Sequence, residues 1–136
     1  MKKIGIWMDK REALILHITE NGEHFETIPS EVDSFRIHGG SGTRLKGGPQ
    51  DVVHDSKYLA LEKKQLRSYF KNIVAHTEDA DQLALFGPAE TAEKFRKELK
   101  ERYEKLSSKV VALKTVDSMT ENQTKALIRD FFKEYR

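Results

Sequence analysis

The sequence predicts an α/β protein built on a mixed five-stranded sheet with helices on its faces. Three observations predict it. The first part of the chain holds three short apolar or alternating runs separated by turn residues, with no helical period. The hydrophobic period then changes from 2 to 3.6. Beyond that point short apolar runs alternate with amphipathic helical ones, the pattern of strands laid parallel through helical crossovers.

Each element follows from its residues. "KIGIWM" (Lys3 to Met8) is apolar and β-branched enough for a buried strand, and "DKRE" (Asp9 to Glu12) makes the turn after it. "ALILHI" (Ala13 to Ile18) is a second strand and "EHFETIP" alternates as a third. Asn21-Gly22 between them predicts a two-residue hairpin turn, because both residues tolerate positive φ. These strands form an antiparallel meander.

Leu59, Leu66 and Ile73 recur every seven residues, with Tyr69 and Phe70 on the same side, which predicts an amphipathic helix from about Ser56 to Ala75. "QLALFG" (Gln82 to Gly87) is a fourth strand. The run Ala89 to Leu106 is a second helix, with Ala92, Phe95, Leu99, Tyr103 and Leu106 on its core face. "KVVALKTV" (Lys109 to Val116) is the fifth strand, and Thr120 with Gln123 spells a capping box that opens a last helix. The order β-β-β-α-β-α-β-α, with an antiparallel meander followed by parallel strands, is a ribonuclease H-like three-layer arrangement.

At 136 residues the chain suits one domain, and 38% hydrophobic with 34% charged residues suits a globular protein with a heavily charged surface. No cysteine is present, which removes disulfides and thiolate metal sites. No apolar run approaches a membrane span of about 20 residues. The start "MKKIGIWMDK" lacks a signal-peptide pattern, so the expected setting is the cytoplasm.

Between the third strand and the first helix lies a basic, glycine-rich arm at about 34–50, "GGSGTRLKGGPQ" at its centre. Gly39, Gly40, Gly42, Gly47 and Gly48 crowd into it, interleaved with Arg36, Arg44 and Lys46, and no acidic residue occurs from Ser34 to Gln50. A connection of this length is longer than a compact domain needs, and arms of that kind are functional or disordered. Glycine density and the lack of apolar anchors predict that it is mobile without a partner. It lacks the Gly-Lys-Ser/Thr ending of a phosphate-binding P-loop.

The charge is unevenly placed. From Ser34 to Lys71 eight basic residues face three acidic ones, a net +5 that leaves −3 for the rest of a chain whose total is +2. On the helix that follows the arm, Lys57, Lys64 and Lys71 share one heptad position and Arg67 lies one turn from two of them. The stripe lies opposite Leu59, Leu66 and Ile73. Arm and stripe together predict one footprint for the backbone of a nucleic acid, through Arg36, Arg44, Lys46, Lys57, Lys64, Arg67 and Lys71.

The same stretch carries a resemblance. "GGPQ" (Gly47 to Gln50) just ahead of a basic helix resembles the Gly-Gly-Gln loop in the central domain of archaeal and eukaryotic class 1 peptide-release factors. The ribosome-rescue factor Pelota has the same domain without the tripeptide, and "LALFGPAETAEKFRKEL" resembles the matching part of bacterial single-chain relatives. The resemblance covers the chain from the first strand to the last helix and implies a ribonuclease H-like fold. It implies the ribosome or tRNA as partner, with Gly47 and Gly48 freeing the backbone and Gln50 orienting water onto the peptidyl-tRNA ester. Pro49 departs from the motif: it fixes φ, removes an N–H and shifts the glutamine by one position. That departure favours occupancy of the ribosome over hydrolysis. The flanking codon-reading and recruitment domains of release factors are not expected in a chain of this length.

Two other readings compete. One is a non-catalytic interaction module whose arm orders against a protein. The other is a ribonuclease H-like nuclease, which needs several carboxylates around Mg²⁺. Asp9 ends the first strand, but "FGPAET" has no acid at the fourth strand's tip and Asp117 lacks a third partner, so Asp9 reads as a turn residue. His17, His24, His38, His54 and His76 have no metal-ligand spacing, and no cofactor fingerprint occurs. His54 beside Asp55 reads as a surface pair and Trp7 as core. Glu90 and Glu93 read as a helix cap that disfavours a bound anion.

Overall fold

In the computed structural model the elements run β1 (Lys3–Met8), β2 (Glu12–Thr19), β3 (Gly22–Pro29), α1 (Gly48–Thr77), β4 (Gln82–Gly87), α2 (Thr91–Arg102), a single turn α3 (Glu104–Ser107), β5 (Val110–Thr115) and α4 (Glu121–Glu134). The structure describes residues 1–30, 48–88 and 90–135, with side chains over the same ranges except 48–62.

The strands form one sheet in the order β3-β2-β1-β4-β5. β1 pairs antiparallel with β2 and parallel with β4, and β5 runs parallel to β4. The mixed five-stranded sheet is thus the one expected. β1 and β4 sit inside it and are buried along five of their six residues. This is why both read as continuous apolar runs, whereas the edge strand β3 is mostly exposed.

Alternation along the strands divides the core into two layers. Ile4, Ile6, Met8, Ile15, Leu83 and Leu85 pack against Leu66, Tyr69, Phe70 and Ile73 of α1, Phe95 and Leu99 of α2, and Leu106 of α3. On the other face Trp7, Leu14, Leu16, Ala84 and Phe86 meet Ile128 and Phe132 of α4. Trp7 is core, at 3% exposure. α4 comes close to the sheet over Gly5, where a Cβ would lie 2.7 Å from Ile128 Cγ1.

Four local details differ from the sequence reading. The hairpin forms, but its turn is centred one residue earlier, on Glu20-Asn21. Gly22 pairs with Thr19 as the first residue of β3 and takes φ +133°, and no non-glycine residue among those described has positive φ. α1 starts at Gly48 rather than near Ser56, with Pro49 in its first turn, where the missing N–H costs nothing and φ is already helical. α2 stops at Arg102: Tyr103 takes φ −134°, ψ 63°, and α3 re-aims the chain so that Leu106 enters the core before β5. Glu90 occupies the N-cap of α2 without a side-chain capping hydrogen bond. The capping box of α4 is present as read, Thr120 Oγ1 accepting from Gln123 N–H at 3.1 Å and Gln123 Oε1 from Thr120 N–H at 2.9 Å.

Candidate nucleic-acid interface

The end of the sheet where β1, β3 and β4 finish is held by one turn. Asp9 Oδ1 accepts the N–H groups of Arg11 and Glu12 at 2.8 and 3.0 Å, so its carboxylate closes the turn. Ser30 docks on the same turn, its N–H donating to the Arg11 carbonyl at 2.9 Å and its hydroxyl to the Lys10 carbonyl. From α1, the Tyr69 hydroxyl donates to the Asp9 carbonyl at 3.0 Å. Burial, with Asp9 and Glu12 nearby, holds that hydroxyl well above the usual phenol range, so it stays a donor. The last described residue before the arm and the middle of α1 are therefore fixed to a single point.

α1 is oriented by its apolar face. Leu66, Tyr69, Phe70, Ile73 and Val74 are buried, and this turns Lys63, Lys64, Arg67 and Lys71 out to solvent. The exposed residues crown a ridge with a groove on each side. One groove, about 360 Å³, lies against the end of β3 and is lined by Pro29, Ser30, Lys64, Ser68 and Asn72. The other, also about 360 Å³, lies against α2 and brings Lys63 and Arg67 opposite Lys94 and Lys97.

Among the described residues these cations meet no neutralising carboxylate within ion-pair distance. Among the described residues, Lys63, Lys64, Arg67, Lys71 and Lys97 have no ion-pair partner, whereas Lys2 pairs with Asp79 at 2.7 Å and Arg129 with Glu23 at 2.8 Å. An unneutralised cationic ridge attracts a polyanion at long range and releases counterions when it binds.

The structure brings Lys64, Arg67 and Lys71 of the expected footprint onto one ridge. Arg36, Arg44, Lys46 and Gly47 lie outside the described residues, as does the side chain of Lys57. Gly48, Pro49 and Gln50 are described in backbone only and belong to the first turn of α1. His38 and the His54–Asp55 pair also fall outside the described side chains. Asp117 is exposed beyond β5, and no group of three histidine or acidic residues among the described ones is arranged to hold a metal ion.

Sequence reading counted Lys63 in the basic segment without giving it a place in the footprint, and missed Lys94 and Lys97. It also missed a cluster at the far end of α1. There Glu26 bridges His17 and His76, with Nε2 of His17 at 2.6 Å and Nδ1 of His76 at 2.9 Å.

No protein-family model matches the chain, and no curated protein matches it in sequence. Solved structures do match. Archaeoglobus fulgidus Pelota aligns with 95% of this chain over 31% of its own length, at TM-score 0.58 and 13% identity. Thermoplasma acidophilum Pelota aligns with 95% over 32%, at TM-score 0.55 and 18% identity. The archaeal translation termination factor aRF1 aligns with 98% over 39%, at TM-score 0.53 and 10% identity. The chain has a Pelota-like fold. It spans between 31% and 39% of the length of those three chains. No helix among the described residues is long and apolar enough to cross a membrane.

Proposed function

We propose that this Pelota-like chain is a translation-factor-like protein that associates with the ribosome or tRNA in the cytoplasm. It binds RNA through the arm and the ridge of α1. The observation that carries this reading is the ridge itself: Lys64, Arg67 and Lys71 stand exposed, and among the described residues unpaired, on the longest helix of the Pelota-like fold. Arg36, Arg44, Lys46 and Lys57 extend the same footprint along the chain. The sheet order β3-β2-β1-β4-β5, with helices on both faces, supports a ribonuclease H-like assignment. We assign the chain to a single domain of the release-factor central-domain type, akin to the bacterial single-chain relatives.

Within this reading the arm occupies a site on the ribosome and does not hydrolyse peptidyl-tRNA. Hydrolysis by a Gly-Gly-Gln-type motif would use Gly47, Gly48 and Gln50. The helix start at Gly48, with Pro49 inside the first turn, favours a rigid helical lead-in at these positions. The test is a sucrose-gradient profile of native lysate. Co-migration with ribosomal particles or subunits is expected, and exclusive migration at the top of the gradient contradicts the proposal.

A further inference from the structure

We infer that the groove between α1 and α2 is a second phosphate-backbone site, in which Lys94 and Lys97 of α2 complete a two-walled cationic channel with Lys63 and Arg67 of α1. The inference rests on the RNA-binding reading above and adds a wall to it that lies far from the arm in sequence.

The groove is a product of packing. Leu66 and Phe70 from α1 form its floor, and the Phe70 ring meets Phe95 of α2 edge to face at 5.2 Å. That contact fixes the separation of the two helices and so the separation of the cations along their rims. Both floor residues are buried, at 6% and 4% exposure, so no ring is free to stack a base. Recognition here is of phosphate and is independent of base sequence.

Charge selects the occupant. Four cations line the groove, and two carboxylates, Glu98 and Glu101, stand with them. Glu98 is mostly buried and lies 3.4 Å from Arg102 Nε, so its charge is opposed locally. Glu101 opposes a phosphate chain further along α2. Lys94 has only a 3.8 Å contact with the well-exposed Glu90, and among the described residues Lys63, Arg67 and Lys97 have no ion-pair partner. Lys94 also lines a separate cleft with Asp9, Arg11, Pro88 and Glu90 at the carboxyl ends of β1 and β4. An RNA strand leaving the α1 ridge would run between the helices, with Lys94 at the mouth toward that end of the sheet.

The test measures binding of a fluorescent oligouridylate by anisotropy across a salt series. It compares the wild-type protein with Lys94→Ala/Lys97→Ala and with Lys64→Ala/Lys71→Ala. Losing two phosphate contacts from a single strand should flatten the log–log salt slope by about 1.4. The inference expects that change for the α2 pair, with binding retained by Lys94→Arg/Lys97→Arg. If the wild type binds and the α1 pair weakens it while the α2 pair does not, the channel is overturned and the ridge stands. If the wild type shows no salt-dependent RNA binding, both fall. Tighter binding to polyglutamate than to oligouridylate overturns the assignment in favour of an acidic protein partner.

Discussion

The carboxylate of Glu26 on β3 accepts a hydrogen bond from the buried ring of His17 on β2, with 2.6 Å between Oε2 and Nε2. The other oxygen, Oε1, lies 2.9 Å from Nδ1 of His76 in the last turns of α1. One side chain therefore ties the edge strand to its neighbour and to the helix that carries the cationic ridge. Glu26→Ala leaves a nitrogen of His17 without a partner in a residue only 6% exposed. A destabilisation of about 1–3 kcal/mol is expected from urea unfolding. His76 is half-exposed, so His76→Ala should cost less, about 1 kcal/mol or below.

Among the described residues, three carboxylates are held below their usual pKa on folding. Burial raises the pKa of Glu26, but the hydrogen bonds from His17 and His76 outweigh it and hold the group below its usual value. Hydrogen bonding from Arg129 lowers Glu23, and from Lys2 lowers Asp79. A carboxylate lowered on folding stabilises the protein above its unfolded pKa, and the benefit is lost as pH falls through the folded value. Stability should therefore be retained through neutral pH and decline below roughly pH 4, the range of unperturbed carboxylates. Glu26→Gln should flatten that decline. An acid limb of unchanged steepness in the variant would refute the assignment.

Gly5 and Ile128 test the seat of α4. A methyl group at position 5 would press on the Ile128 side chain, which is fully buried. Gly5→Ala should cost about 1–3 kcal/mol by overpacking. Combined with Ile128→Ala, which removes the obstructing atoms, the two losses should sum to less than their separate values in a double-mutant cycle.

What could be read from sequence follows the range of the interactions. The Thr120–Gln123 capping box is local and was legible residue by residue. So were β1 and β4, because a strand buried on both faces leaves a continuous apolar run. The start of α1 was not legible, since glycines around Pro49 count against helix by propensity although proline suits a first turn. The break at Tyr103 answers to the docking of Leu106 and the entry into β5, which α2's own periodicity does not reveal. Half of the candidate site was legible for the same reason. Lys64, Arg67 and Lys71 share one helix, whereas Lys94 and Lys97 meet them only through the packing of Phe70 on Phe95. His17, Glu26 and His76 come together across strand pairing and helix docking, which no spacing rule encodes.

The occupancy reading separates binding from chemistry at Gln50. Gln50→Ala should leave ribosome affinity unchanged, and neither the wild-type protein nor a Pro49 deletion should cleave peptidyl-tRNA above background. A wild-type acceleration that falls by about 10²-fold in Gln50→Ala, the scale of one well-placed polar group, would instead identify a hydrolase.

The exposed cations of α1 are proposed to hold the chain on RNA of the translation machinery. The most direct measurement is co-sedimentation of purified protein with purified ribosomes at low and high salt, comparing wild type with Lys64→Glu/Arg67→Glu/Lys71→Glu. The wild type should sediment with ribosomes at low salt and be released as salt rises. The triple variant, folded by circular dichroism, should stay in the supernatant at both. Equal sedimentation of the two proteins, or wild-type binding indifferent to salt, would contradict it.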